Sequence, residues 1–212
     1  MTTTNEQTDK QETGARIIVF GGRGRVGRAV VAEARARGYE VTVAGRAEGE
    51  VTSAADVARL AAGHDLAVAA VYDPQVGPGE FFPAAARALA AGLPEAGVRR
   101  LVSVGLASVL PTGSGALLMD TPGYPQEWRE FYVGHGAGTE ALRAASAAAG
   151  LDWAVLSPAG DFADGEPAGG YAFGPADAAG RISHADFARA VLDEAVAPTV
   201  HAAHAGVTGA AG

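Results

Sequence analysis

Short β-branched runs alternate with helical stretches along nearly all of the 212-residue chain, and this alternation narrows the fold more than any other feature. Residues 16–20 read Arg-Ile-Ile-Val-Phe, an unbroken apolar run that suits a strand buried on both faces. A helix is predicted over 26–37, because Val26, Val30 and Ala34 share one face while Arg28, Glu33 and Arg35 point outward, and Gly38 is placed to stop it. A strand over 39–44, a helix to Ala62 capped by Ser53, and a strand over 65–71 follow. The rhythm continues with a helix over 80–91, a strand over 98–104, a helix over 139–149, a strand over 151–156 and a last helix from Ser183 to Val196. Residues 200–207 are predicted to add an edge strand. Such repetition specifies an α/β fold, a Rossmann-like doubly wound parallel sheet forming a single domain over residues 15–212. Residues 1–14 are a polar tail, expected to be disordered. Two Gly- and Pro-rich stretches, 106–131 and 161–180, interrupt the pattern and are expected to form substrate loops.

The first strand–helix junction, Val19-Phe-Gly-Gly-Arg-Gly-Arg-Val-Gly-Arg-Ala-Val30, holds four glycines and three arginines in a chain whose formal charge is -8. The glycines fit two frames, Gly22-x-Gly24-x-x-Gly27 and Gly21-x-x-Gly24-x-x-Gly27. In either, one glycine makes the tight turn, one lets backbone approach a pyrophosphate, and the last lets the helix pack close to the sheet. Free N–H groups at the helix start then face the phosphates. Gly21, Gly22, Arg23, Gly24, Arg25, Val26 and Gly27 are therefore the predicted dinucleotide loop. The end of the second strand selects the dinucleotide. It reads Val43-Ala44-Gly45-Arg46, with no carboxylate before Glu48 to accept from a ribose hydroxyl. Arg46, helped by Arg23 or Arg25, would instead fork onto a 2′-phosphate, so the expected cofactor is NADP.

With these residues the chain resembles the atypical short-chain dehydrogenase/reductases, the NAD(P)H-binding group that includes NmrA-like regulators and flavin or biliverdin reductase-like enzymes. The likeness extends through Ala96-Gly-Val-Arg-Arg-Leu-Val-Ser-Val-Gly105, through Glu140-Ala-Leu-Arg and Gly150-Leu-Asp-Trp-Ala-Val-Leu-Ser-Pro158, and through Arg181-Ile-Ser-His-Ala-Asp-Phe187. The resemblance implies catalysis by a Tyr-x-x-x-Lys pair with an upstream serine. The corresponding residues are Tyr132-Val-Gly-His-Gly136, so the tyrosine is present and glycine stands in the lysine's place. His135, whose imidazole ordinarily titrates near neutral pH, is the expected partial replacement. Ser108 and Ser103 lie at the end of the fourth strand, where a hydroxyl can meet a substrate carbonyl, although Ser103 also fits a satisfied core position. Tyr72 follows the third strand, where the resemblance places the nicotinamide ribose; Asp73, before a proline, also fits a simple turn.

Other chemistry is excluded or unsupported. No cysteine is present, which removes disulfides and thiolate chemistry, and the histidines have no metal-site spacing, His201 and His204 sitting in a small-residue tail without nearby carboxylates. The acidic balance argues against a nucleic-acid partner, and no apolar run reaches the roughly 18–20 residues of a membrane span. Met119, Tyr124, Trp128, Phe131 and Tyr132 from the first loop and Phe162, Tyr171 and Phe173 from the second are expected to line an apolar pocket for a flat substrate. The reading is an NADPH-dependent reductase of a small planar carbonyl-bearing or conjugated molecule such as a flavin, a quinone or an aromatic natural product, working in biosynthesis. It is expected to be cytoplasmic, with no membrane partner and with oligomerisation left open. Two alternatives stand beside it: an NADP-binding redox sensor without turnover, and a non-redox tailoring enzyme on the same fold.

Overall fold

The computed structural model describes residues 14–163 and 167–210, so residues 1–13 of the polar tail lie outside it. Among the described residues the strands and α-helices follow in chain order: β1 (Arg16–Phe20), α1 (Arg25–Ala36), β2 (Glu40–Ala44), α2 (Ala54–Ala61), β3 (Leu66–Ala69), α3 (Pro78–Glu95), β4 (Arg100–Val104), α4 (Arg129–Ala149), β5 (Asp152–Pro158), β6 (Asp161–Ala163), β7 (Tyr171–Gly174), β8 (Arg181–Ser183), α5 (His184–Val196) and β9 (Ala203–Gly209). The main sheet has seven strands in the order β2-β1-β3-β4-β5-β9-β7. All neighbours in it run parallel except β9 and β7, which are antiparallel. Strands β6 and β8 pair separately in a small parallel ribbon.

The apolar run of β1 explains its central place. Ile17 and Val19 belong to one core and Ile18 and Phe20 to the other, all buried, which is what a strand covered on both faces requires. The first of these cores lies under α1 and α5 and the second under α2, α3 and α4. The chain is thus a single α/β domain with a doubly wound sheet. Among the described residues, no helix is long and apolar enough to cross a membrane.

Three expectations need correction. Helix α4 starts at Arg129, ten residues before the expected Thr139, so the end of the first long stretch is helical. The cause is packing: a Cβ on Gly134 would come within 2.6 Å of Pro78 and one on Gly138 within 2.8 Å of Phe82, so the glycines that look like a loop allow α4 to press against α3. Strand β9 lies inside the sheet, and β7, from the second long stretch, forms the edge. The second stretch therefore contains β6 and β7 and is only partly loop.

Candidate functional site

The carboxyl ends of β1, β3 and β4 open onto a pocket of about 770 Å³. Its floor is the glycine loop. Gly21 turns the chain with φ +75°, a conformation costly for any residue with a side chain, and its N–H donates to the Ala44 carbonyl at 2.8 Å. A Cβ on Gly27 would lie 2.2 Å from the Gly21 carbonyl oxygen, so only glycine lets α1 sit this close to the turn. Gly24 is the N-cap of α1 and has no side chain to satisfy the first N–H groups, and the first turn carries no carboxylate. The N–H groups of Arg25, Val26 and Gly27 therefore face the pocket end of the helix without intrahelical partners. This arrangement fits the Gly21-x-x-Gly24-x-x-Gly27 frame. Gly22 instead packs against Val43 and Val31. The unsatisfied donors and the close helix approach fit a dinucleotide pyrophosphate.

The arginines are unequal. Arg23 forks onto Glu48 through Nη1 and Nη2 at 2.6 and 2.7 Å, and the Gly45 N–H donates to the same carboxylate at 2.8 Å. Arg23, and next the Gly45 N–H, hold the Glu48 carboxyl down at about 2. Arg46 reaches across the mouth to Asp73, Nη1 to Oδ1 at 3.0 Å. Arg25 is exposed, lines the pocket and makes no salt bridge among the described residues. Tyr72 and His135 also line this pocket, whereas Ser103 faces a small interior cavity beneath it together with His135.

A second cavity of about 900 Å³ adjoins the first and shares Tyr72, Leu106 and Phe131 with it. Ser108 and Tyr132 both line it, and Ser108 Oγ shares a 2.9 Å hydrogen bond with the Tyr124 hydroxyl. Tyr132 packs edge-on to Tyr124 with ring centroids 5.5 Å apart. Burial, then Tyr124 and Glu127, raise the Tyr132 pKa, so its hydroxyl stays protonated. His135 packs tilted against Phe82, 3.8 Å between ring centroids, and lies edge-on to Phe131 at 4.8 Å. Burial and the neighbouring His204 push its pKa down to about 3. This corrects the expectation that His135 stands in for the missing cation, since the imidazole is neutral near pH 7.

The structure divides the expected aromatic lining. Tyr124, Trp128, Phe131 and Tyr132 line the second cavity. Met119 is buried outside it, Phe162 stacks on His184, and Tyr171 and Phe173 pair with each other on the edge strand. Sequence reasoning missed the part played by Phe81 and Phe82, which join Tyr72, Phe131 and His135 in one aromatic cluster beside the dinucleotide pocket. Their adjacency at the rim end of α3 was the available signal. It also missed that His201 meets a carboxylate, Asp152, at 2.9 Å, and that His204 Nε2 shares a 2.7 Å hydrogen bond with buried Ser157. Among the described residues no group of three or more His, Asp or Glu side chains is placed to hold a metal ion.

Comparison with known proteins agrees with this geometry. A protein-family model described as NAD(P)H-binding matches residues 46–198. The matched span begins at Arg46, so the glycine loop is supported by its own geometry. The chain is 32% identical over 198 residues to the uncharacterized protein YwnB of Bacillus subtilis, spanning 84% of this chain and 91% of that one. A crystal structure from Bacteroides thetaiotaomicron, provisionally named an epimerase, superposes with a TM-score of 0.80 at 26% identity, covering 94% of this chain and 99% of the other. A Streptococcus pneumoniae protein provisionally named an NADH-flavin reductase superposes with a TM-score of 0.73 at 24% identity over 93% of this chain and all of the other.

Proposed function

Because the chain belongs to the NAD(P)H-binding family, we propose that it is an NADPH-dependent reductase of a small, planar, carbonyl-bearing or conjugated acceptor. The observation that carries this reading is adjacency: the pocket above the glycine loop and the aromatic cavity adjoin and share Tyr72, Leu106 and Phe131. A bound reduced nicotinamide supplies a hydride, and the protein's part is to hold and orient the two reactants. The N–H groups of Arg25, Val26 and Gly27 would hold the pyrophosphate. Arg46 and Arg25 would take the 2′-phosphate, because Arg23 is already committed to Glu48. The name of the flavin-reductase neighbour supports an aromatic acceptor of this kind.

In the second cavity the hydroxyls of Ser108, Tyr124 and Tyr132 would orient the acceptor's carbonyl. Gly136 brings no positive charge and His135 is neutral, so Tyr132 serves as a hydrogen-bond donor rather than as an easily ionised acid. The proton that completes the reduction then comes from solvent. Mixing the protein with NADPH and a panel of quinones and flavins, while following absorbance of the reduced nicotinamide, tests the reading. Acceptor-dependent loss is expected, and none across the whole panel would contradict it. Gly136 in the lysine's place favours one second reading, a redox sensor that binds NADP without turnover. That reading predicts inertness with every acceptor together with a protein partner whose affinity follows the redox state of the nucleotide.

A further inference from the structure

The two adjoining spaces differ in charge. The dinucleotide pocket is lined by Arg23, Arg25 and Arg46 together with Glu50 and Asp73; Arg23 is paired with Glu48 and Arg46 with Asp73, so its charges are close to balanced. The aromatic cavity is lined by Glu127, Glu130 and Asp161, with Arg181 as the one cationic side chain among its described lining residues. All four of these charged residues are exposed at the cavity mouth, and none forms a salt bridge among the described residues. Asp161 Oδ1 accepts the Phe162 N–H at 2.8 Å, and Arg181 Nη1 donates to the Gly180 carbonyl at 3.1 Å; neither contact cancels a charge. The walls between the carboxylates are the rings of Tyr124, Trp128 and Phe131. Such a cavity offers stacking area to a flat ring system and no cluster of cations to an acidic tail.

We propose that the aromatic cavity selects uncharged or cationic planar acceptors and discriminates against phosphorylated or carboxylated ones. The proposal rests on the reductase reading and refines its substrate class. A phosphate entering the mouth meets three lining carboxylates and one guanidinium, charges that act over a screening distance of roughly 8–10 Å, whereas a neutral ring system loses nothing. The negative field also reaches the inner hydroxyls, since Glu127 is among the groups that raise the pKa of Tyr132, after burial and Tyr124. The acceptor side thus disfavours anions, with three carboxylates against one guanidinium among its described lining residues.

Riboflavin and its 5′-phosphate test this directly, because they share one ring system and differ by the phosphate. Two readouts are needed: kcat/KM for NADPH oxidation with each flavin, and quenching of the fluorescence of Trp128, which lines the cavity. Riboflavin is expected to be favoured about tenfold at low salt in both, with the gap narrowing as salt is raised. In the E127Q/E130Q double variant the ratio should fall to about threefold or less, and Asp161→Asn should move it in the same direction. A phosphorylated flavin that binds and turns over as well as riboflavin, or a ratio unmoved by these substitutions, overturns the proposal. If neither flavin oxidises NADPH, the reductase reading fails with flavins, while quenching still reports the charge preference. If neither flavin quenches Trp128, the cavity is not a site for planar rings and the proposal falls.

Discussion

Arg46 and Arg23 sit on the same rim but differ in what a ligand must displace. Arg23 is held in a two-point fork by Glu48, while Arg46, equally exposed, has a single contact to Asp73. Arg46→Ala should therefore raise the KM for NADPH about tenfold and leave that for NADH nearly unchanged, the loss expected for one charge-assisted contact to a phosphate. Steady-state kinetics with both coenzymes checks this. Tyr132→Phe should lower kcat about tenfold rather than abolish turnover, because the side chain donates a hydrogen bond and is not the obligatory acid. A much deeper loss in single-turnover measurements would return Tyr132 to the role of proton donor. At this scale the sequence was informative where backbone geometry dictates the residue. Gly21 and Gly27 could be assigned because a positive φ and a near-contact leave no alternative. Pairings such as Arg23 with Glu48, or Arg46 with Asp73, depend on how loops fold over one another, and no local pattern encodes them.

Strands were easier to read than the elements that shape the site. The apolar runs of β1, β3 and β5 stand out because burial on both faces demands them, and Ser183 was legible as a cap because its hydroxyl accepts the Asp186 N–H at 2.9 Å. Helix α4 was partly hidden, since glycine costs a helix about 1 kcal/mol per residue relative to alanine and only contact with α3 makes the cost worthwhile. The junction of β4, β5 and α5 also depends on tertiary contact. Arg100, almost fully buried, donates to the Glu194 carbonyl at 2.8 and 3.1 Å, to its carboxylate at 3.3 Å and to Asp152 at 2.9 Å. Glu194 in turn accepts from the N–H groups of Thr199 and Val200 at 2.9 and 2.8 Å, fixing the turn into β9. Arg100→Met leaves the Glu194 carboxylate buried without its cation and should cost about 3–5 kcal/mol, read as a lower urea midpoint at unchanged slope.

Across the whole molecule, the charge layout and the buried histidines set how the protein responds to its surroundings. His135 and His204 are held uncharged by burial, with pKa values pushed down to about 3 and about 4. Their unfolded counterparts take up protons near pH 6.5, so the unfolded chain binds more protons below that pH. Stability is then full above about pH 6.5 and falls as the pH drops toward 4, by up to about 1.4 kcal/mol per pH unit for each histidine. Thermal melts from about pH 8 to about pH 5 should be flat at the upper end and decline at the lower, and replacing His135 by Phe should make the decline shallower. The fold and its family membership rest on the doubly wound sheet and the matched span, while coenzyme choice rests on a few guanidinium groups around one turn. Calorimetric titration of the pure protein with NADPH and with NADH tests that choice most directly. Binding of NADPH about tenfold tighter than NADH is predicted; failure of both to bind at about millimolar concentration, or tighter binding of NADH, would contradict it.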